Sequence, residues 1–197
     1  MISLDIEASG LDSGRCGIWQ IGALEIENPK NNFLEEARID DEDEIIEEAL
    51  KVIGKTKEYL RNSDKQSQKQ LIEHFLKWVK TCKPPRILVG QNIGWDVSFI
   101  QNKCMRYGIM DKFRYSIGQR AIDTHTLAQI RYKEKNKEYL IKEEKSGMNL
   151  SSVLELCGLE DDRIRLEMGK IVKKGKPHNS LEDAKLTAEC YRRLIRW

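Results

Sequence analysis

Residues 2–7 read Ile2-Ser3-Leu4-Asp5-Ile6-Glu7, an unbroken alternation on which the reading of the rest of the chain turns. Side chains on a strand point to opposite faces in turn. Ile2, Leu4 and Ile6 therefore form one apolar face, while Ser3, Asp5 and Glu7 share the other. Asp5 and Glu7 lie roughly 6.5–7 Å apart at the backbone, side by side. Such a pair can share hard cations such as Mg²⁺, which prefer oxygen ligands. An ordinary exposed strand face also carries paired charges, so the motif alone does not choose.

Working outward, Ser9-Gly10-Leu11-Asp12-Ser13-Gly14 is turn-rich. Residues 17–26 read as a second strand, 28–32 as a break and 33–39 as a weaker third strand, joined closely enough to be antiparallel neighbours. The acidic run 40–48 predicts the opening of a helix that continues through Ile45, Ile46, Leu50 and Ile53. Acidic residues suit a helix N-terminus, so the run needs no functional reading. In 66–81, Leu71, Ile72, Phe75, Leu76 and Val79 recur at helical spacing. A strand follows at 86–90, a helix from 95 to 107, and a strand-to-helix unit at 121–124. Residues 133–146 read as a solvated helix end or loop, 149–157 as a short helix and 173–180 as a basic loop. The last helix starts near Leu181. Antiparallel strands first and alternating strands and helices afterwards predict an α/β fold, a mixed sheet flanked by helices.

The 197 residues suit one domain spanning 1–197. No apolar run reaches 18 residues, the N-terminus lacks the features of a secretory signal, and the expected setting is cytoplasmic. The five cysteines (Cys16, Cys82, Cys104, Cys157, Cys190) have no C-x-x-C pair, which argues against a zinc site or disulfide framework and for buried free thiols. Net charge is +2, yet residues 1–50 hold 14 acidic and 3 basic side chains, leaving a basic remainder able to meet a polyanion.

Three further positions carry chemistry. Asp96 follows an apolar strand and a polar turn, where α/β sheets place their ligands but where an aspartate also caps helices. Ser180-x-x-Asp183 reads as a capping box, so Ser180 is expected to start the last helix with Asp183 in its first turn. His178 precedes it on a loop containing Gly175 and Pro177. Four carboxylates in one place would repel and raise one another's pKa unless cations balanced them. Two ions about 3.5–4 Å apart are the arrangement used for in-line phosphoryl displacement.

The chain resembles the DEDDh exonucleases, a family that includes the proofreading epsilon subunit of bacterial DNA polymerase III, ribonuclease T and oligoribonuclease. The resemblance runs from Asp5-Ile6-Glu7-Ala8-Ser9-Gly10-Leu11 through Asn92-Ile93-Gly94-Trp95-Asp96 to His178 and Asp183. Ala8-Ser9, Gln91 and Trp95 depart from the usual Thr-Thr, His and Phe, and leave the four acids and the histidine untouched. The resemblance implies an RNase H-like fold with a mixed five-stranded sheet. It implies two Mg²⁺ ions, replaceable by Mn²⁺, one on Asp5, Glu7 and Asp183 and one on Asp5 and Asp96, with His178 as the base that takes a proton from water. It also implies that Ser9, Gly10 and Leu11 hold the terminal nucleotide and that Asn92 touches substrate. The activity so implied is 3′→5′ removal of nucleoside 5′-monophosphates from single-stranded ends, DNA ahead of RNA 3′ ends. A non-catalytic nucleic-acid-binding module is the alternative of another class. Lys173, Lys174 and Lys176 are candidate phosphate contacts. Trp19 is assigned to the core. The polymerase served by a proofreader would be a separate chain, and 40–48 is a candidate docking segment.

Overall fold

The computed structural model describes residues 1–118, 120–167 and 170–197. In chain order the elements are β1 (Ile2–Ala8), β2 (Ile18–Glu25), β3 (Asn28–Glu36), α1 (Glu47–Ile53), α2 (Lys57–Leu60), α3 (Gln68–Val79), β4 (Leu88–Gly90), α4 (Ile93–Arg106), α5 (Met110–Ser116), β5 (Ala121–Asp123), α6 (Thr124–Asn136), β6 (Ile141–Lys142), β7 (Lys145–Ser146), α7 (Leu150–Leu156), β8 (Arg165–Glu167), β9 (Lys170–Lys173) and α8 (Ser180–Leu194). The main sheet runs β3-β2-β1-β4-β5. Its first three strands are antiparallel neighbours, while β4 joins β1 and β5 joins β4 in parallel. This is the mixed α/β sheet expected from the alternation of elements, with the five strands that the family resemblance implies.

Ile2, Leu4 and Ile6 enter the largest core cluster with Leu71, Phe75 and Phe99, so the apolar face of β1 is covered by α3 and α4. The opposite face meets α8. There Ser3 Oγ donates to the Ala184 carbonyl at 2.8 Å. Leu181, Ala184, Ala188 and Tyr191 recur every three or four residues and form the helix's sheet-facing stripe. The close approach of α8 depends on Gly22, which lies opposite Asp5 in the β1–β2 register. A Cβ on Gly22 would run into the backbone of Ser180 and Leu181. The absent side chain thus seats the N-terminus of α8 beside the acidic face of β1.

Some local expectations are corrected. The third strand begins at Asn28, because the hairpin turns at Ile26 and Glu27. Pro29 is tolerated because β3 is an edge strand with no further neighbour to bond. Ser180 does not cap α8. Asn179 does, its Oδ1 accepting from Leu181 N and Glu182 N at 3.2 Å, while Ser180 N and Oγ both donate to Gln20 Oε1 at 2.9 Å. The acidic run opens no helix before Glu47. Three of its carboxylates are instead engaged in the fold. Buried Asp43 accepts from Lys103 Nζ at 2.5 Å, Arg106 Nη1 at 2.6 Å and Gln68 Nε2 at 2.7 Å, Asp40 accepts from the Tyr107 hydroxyl, and Glu44 pairs with Arg15 at 2.7 Å. Asp43 and Asp40 thus serve as counter-ions at the end of α4, while Asp41 and Glu42 remain exposed. Two small antiparallel pairs add to this: β6–β7 within the stretch 133–146 expected as a helix end or loop, and β8–β9 in a part of the chain for which no element was expected. The cysteines are free and buried, and Trp19 is in the core. No helix among the described residues is long and apolar enough to cross a membrane.

Candidate active site

β1 delivers Asp5 and Glu7 on the face that α8 covers, and a register shift after Glu7 turns the chain away into the Ser9–Gly10 corner. Asp183 stands in the first turn of α8. Asp96 reaches the site from the first turn of α4, its Oδ1 accepting from Ile6 N at 3.0 Å, which fastens the helix to β1. His178 lies just before α8, and its backbone N–H donates to the Val52 carbonyl at 3.3 Å. Ligand atoms of Glu7, His178 and Asp183 fall within 4.8 Å of one another. Asp5 and Asp96 stand outside that threefold group but within its electrostatic reach.

The electrostatics are those of crowded, buried acids. Burial, followed by the charges of Asp183, Asp96 and Glu7, holds the Asp5 carboxyl well above the usual range. Burial and then Asp183 and Asp96 do the same for Glu7. Burial pushes Asp96 up to about 8 against the pull of its backbone N–H donors. Asp183 is raised by burial, with Arg163 and His178 working the other way. Asp183 Oδ1 is buried and without a hydrogen-bond partner. An orphaned carboxylate oxygen among like charges fits a hard divalent cation.

Without such a cation the crowding destabilises the fold. Each raised carboxyl binds its proton more tightly in the folded state, so its penalty is absent below the unfolded value near ~4 and complete above the folded one. With Asp96 titrating at about 8, the melting temperature in EDTA is expected to rise as pH falls from about 8 to about 5. Asp43 and Glu36, held below the ordinary range despite burial, keep their contribution throughout that window. A melting temperature that is flat or falling over this interval would contradict the strain assigned to the cluster.

Beside the acids lies an open, mainly apolar slot lined by Glu7, Ala8, Gly10, Leu11 and Trp95 on one side and by Ile46, Glu48, Ala49, Val52 and Ile53 on the other. Leu11 is 85% exposed, an unusual position for leucine, and its carbonyl is held by Trp95 Nε1 at 3.1 Å. Gly10 has no room for a side chain against Cys16 and Ile46. Ser9 does not face the slot. Its hydroxyl donates to the Glu44 carbonyl at 2.5 Å and accepts from Gly17 N at 2.9 Å, and its backbone bonds Gly17 and Ile46. Asn92 heads α4 with a left-handed backbone (φ 55°), its N–H donating to Asp123 Oδ1 at 2.8 Å. Lys173 bonds the Asp161 carbonyl and Lys176 pairs with Asp162 at 2.5 Å, so both are already engaged within the chain.

Sequence reasoning missed the far wall of the slot and one residue of the acidic site. Arg163 is buried, and its Nη1 donates to Asp183 Oδ2 at 2.9 Å. His178 Nε2 meets the Ile164 carbonyl at 2.9 Å. A carbonyl only accepts, so Nε2 carries the hydrogen and Nδ1, 3.7 Å from Asp183 Oδ2, faces the acids.

A family profile described as exonuclease, RNase T, matches residues 2–191. No curated protein sequence matches the chain. Among solved structures, the nuclease domain of 3′hExo, a DEDDh family member bound to rAMP, is 16% identical with a TM-score of 0.67 and covers 99% of this chain and 90% of that one. Exonuclease I of E. coli in complex with a dT13 oligonucleotide is 14% identical with a TM-score of 0.71 over 99% of this chain and 40% of that one. A 3′-exonuclease solved for its 3′-end specific recognition of a histone mRNA stem-loop is 16% identical with a TM-score of 0.67 over 99% and 63%. The chain thus spans less than two thirds of the length of two of these three proteins. At such identities the likeness shows the fold.

Proposed function

The chain belongs to the RNase T family of exonucleases, and from that premise we propose that it removes nucleotides one at a time from the 3′ end of a single strand, with Asp5, Glu7, Asp96 and Asp183 holding two divalent cations and His178 as the base. The observation that carries this reading is the meeting of β1, α4 and α8 at one acidic cluster beside an apolar slot. Asp5, Glu7 and Asp183 would share one ion, and Asp5 and Asp96 the other; Mg²⁺ suits the all-oxygen set, and Mn²⁺ would substitute. Bound there, the cations would balance the acids and stabilise charge developing on the phosphate and the departing 3′ oxygen.

The chain's own groups supply the rest. Leu11 and Trp95 on one wall and Ile46, Ala49 and Val52 on the other grip the terminal base and sugar. His178 Nδ1 accepts the proton of the attacking water, while Nε2–H stays on the Ile164 carbonyl and fixes the ring. The product is a nucleoside 5′-monophosphate. We place single-stranded DNA first and RNA 3′ ends second as substrates; the groups of the slot that would meet a 2′-hydroxyl are the carboxylates of Glu7 and Glu48.

The test offers single-stranded DNA, duplex DNA with a mismatched end, and RNA, each carried with a 5′ and separately a 3′ label, in Mg²⁺ or EDTA. A ladder shortening from the 3′ end in Mg²⁺, silent in EDTA and fastest on single-stranded DNA, is the expected result. Cleavage that persists in EDTA, or fragments from the interior of the strand, would refute the assignment.

A further inference from the structure

Arg163 is a cation set into the wall of an anionic site, and it is held there from several sides. Its Nε donates to Asp161 Oδ1 at 2.9 Å and its Nη2 to Asp161 Oδ2 at 3.2 Å, which leaves Nη1 for Asp183 Oδ2 at 2.9 Å. Asp161 is fixed in turn by the Ser151 hydroxyl at 2.5 Å. Arg163 N also donates to Asp161 Oδ1, at 3.1 Å. Around it, Ile164 N bonds the Lys176 carbonyl and Lys176 N the Asp162 carbonyl. Gly175 passes so close to Asp162 and Arg163 that no side chain fits. The strip 161–164 is therefore clamped to 175–178, and it governs both groups that follow: Asp183 through the guanidinium and His178 through the Ile164 carbonyl.

We propose that Arg163 is a positioning residue and a resident counter-charge: it occupies Oδ2 of Asp183 so that only Oδ1 is presented to a cation, and its fixed positive charge weakens divalent-ion binding while holding the fold together when no ion is bound. The inference rests on the assignment of the four acids as ligands. The geometry favours it because Oδ2 faces both Arg163 Nη1 and His178 Nδ1, whereas Oδ1 has no partner. Only a planar fork can grip Asp161 with two nitrogens and still spare a third for Asp183. A lysine ammonium supplies the charge without the fork.

Titration calorimetry with Mn²⁺, melting in EDTA, and turnover on labelled single-stranded DNA in the full chain test this together. Arg163→Gln is expected to bind Mn²⁺ about tenfold or more tighter, because a poorly screened buried cation is gone, and to melt at a lower temperature in EDTA. It is also expected to turn over at least about tenfold more slowly, because Asp183 is released. Arg163→Lys is expected to restore Mn²⁺ affinity to within about threefold of wild type, yet not turnover. Unchanged or weaker Mn²⁺ binding by Arg163→Gln would overturn the counter-charge. Wild-type turnover by Arg163→Lys would overturn the positioning role, and this variant decides alone should Arg163→Gln fail to fold. A wild-type chain that takes up no Mn²⁺ would overturn the ligand assignment and this inference with it.

Discussion

Asp5→Ala is expected to abolish turnover, by on the order of 10⁴-fold or more, the scale on which removing one central group of an interdependent site acts. The same change is expected to raise the melting temperature of the chelator-treated protein. Both effects come from one position. Asp5 sits between its neighbours on β1, on α4 and on α8, and its carboxyl is raised by burial and by the charges of Asp183, Asp96 and Glu7 together. It is the one acid assigned to both cations, so its loss should remove at least one ion from the calorimetric stoichiometry with Mn²⁺. The mutated position lies opposite Gly22, under the N-terminus of α8. An alanine fits there without displacing the helix, and the three remaining acids repel less. In a chain of this length each kcal/mol released moves the melting temperature by roughly 2–4 °C. A gain of stability in EDTA joined to a loss of activity is hard to explain by misfolding. Unchanged Mn²⁺ uptake, or turnover near wild type, would remove Asp5 from the site.

The pair Asp5 and Glu7 was legible because a strand writes its faces directly into the sequence, and nothing distant had to be known to place both acids on one side. The mixed sheet was legible for a related reason: short strands with close connections come first, and longer helices between strands follow. What remained hidden depends on tertiary partners. Ser180-x-x-Asp183 has the pattern of a capping box, but Gln20 from β2 takes the serine hydroxyl, and Asn179 becomes the cap. The run 40–48 looks like a helix opening, yet Lys103 and Arg106, some sixty residues away, draw Asp43 inward as their counter-ion. Arg163 carried no local signal. Its role exists only because the strip 161–164 lies against 175–178, and that contact is made possible by Gly175. The far wall of the slot was overlooked because Ile46, Ala49 and Val52 have a helical spacing that reads as ordinary core.

The largest effect after Asp5 is expected at His178, where alanine should cost about 10²–10⁴ in rate, the usual worth of a positioned general base. Two roles are open to this side chain on geometry alone, since its ring nitrogen lies within ligand distance of Glu7 and Asp183. As a ligand, the imidazole would be missed by the cation, and His178→Ala would weaken Mn²⁺ binding together with turnover. As a base, it would be missed only by the water, and Mn²⁺ binding would stay within a few-fold of wild type. The Ile164 carbonyl favours the second role. It holds Nε2–H and leaves Nδ1 as the free lone pair, a fixed tautomer that serves proton acceptance. The ring is also a quarter exposed, at the mouth of the site and not enclosed among the acids. Truncation therefore opens a space connected to solvent, and added imidazole is expected to restore part of the lost rate in His178→Ala while leaving Asp5→Ala inactive. A His178→Ala variant that loses Mn²⁺ affinity in proportion to its loss of rate would make the histidine a ligand, and the proton acceptor would then have to be sought elsewhere.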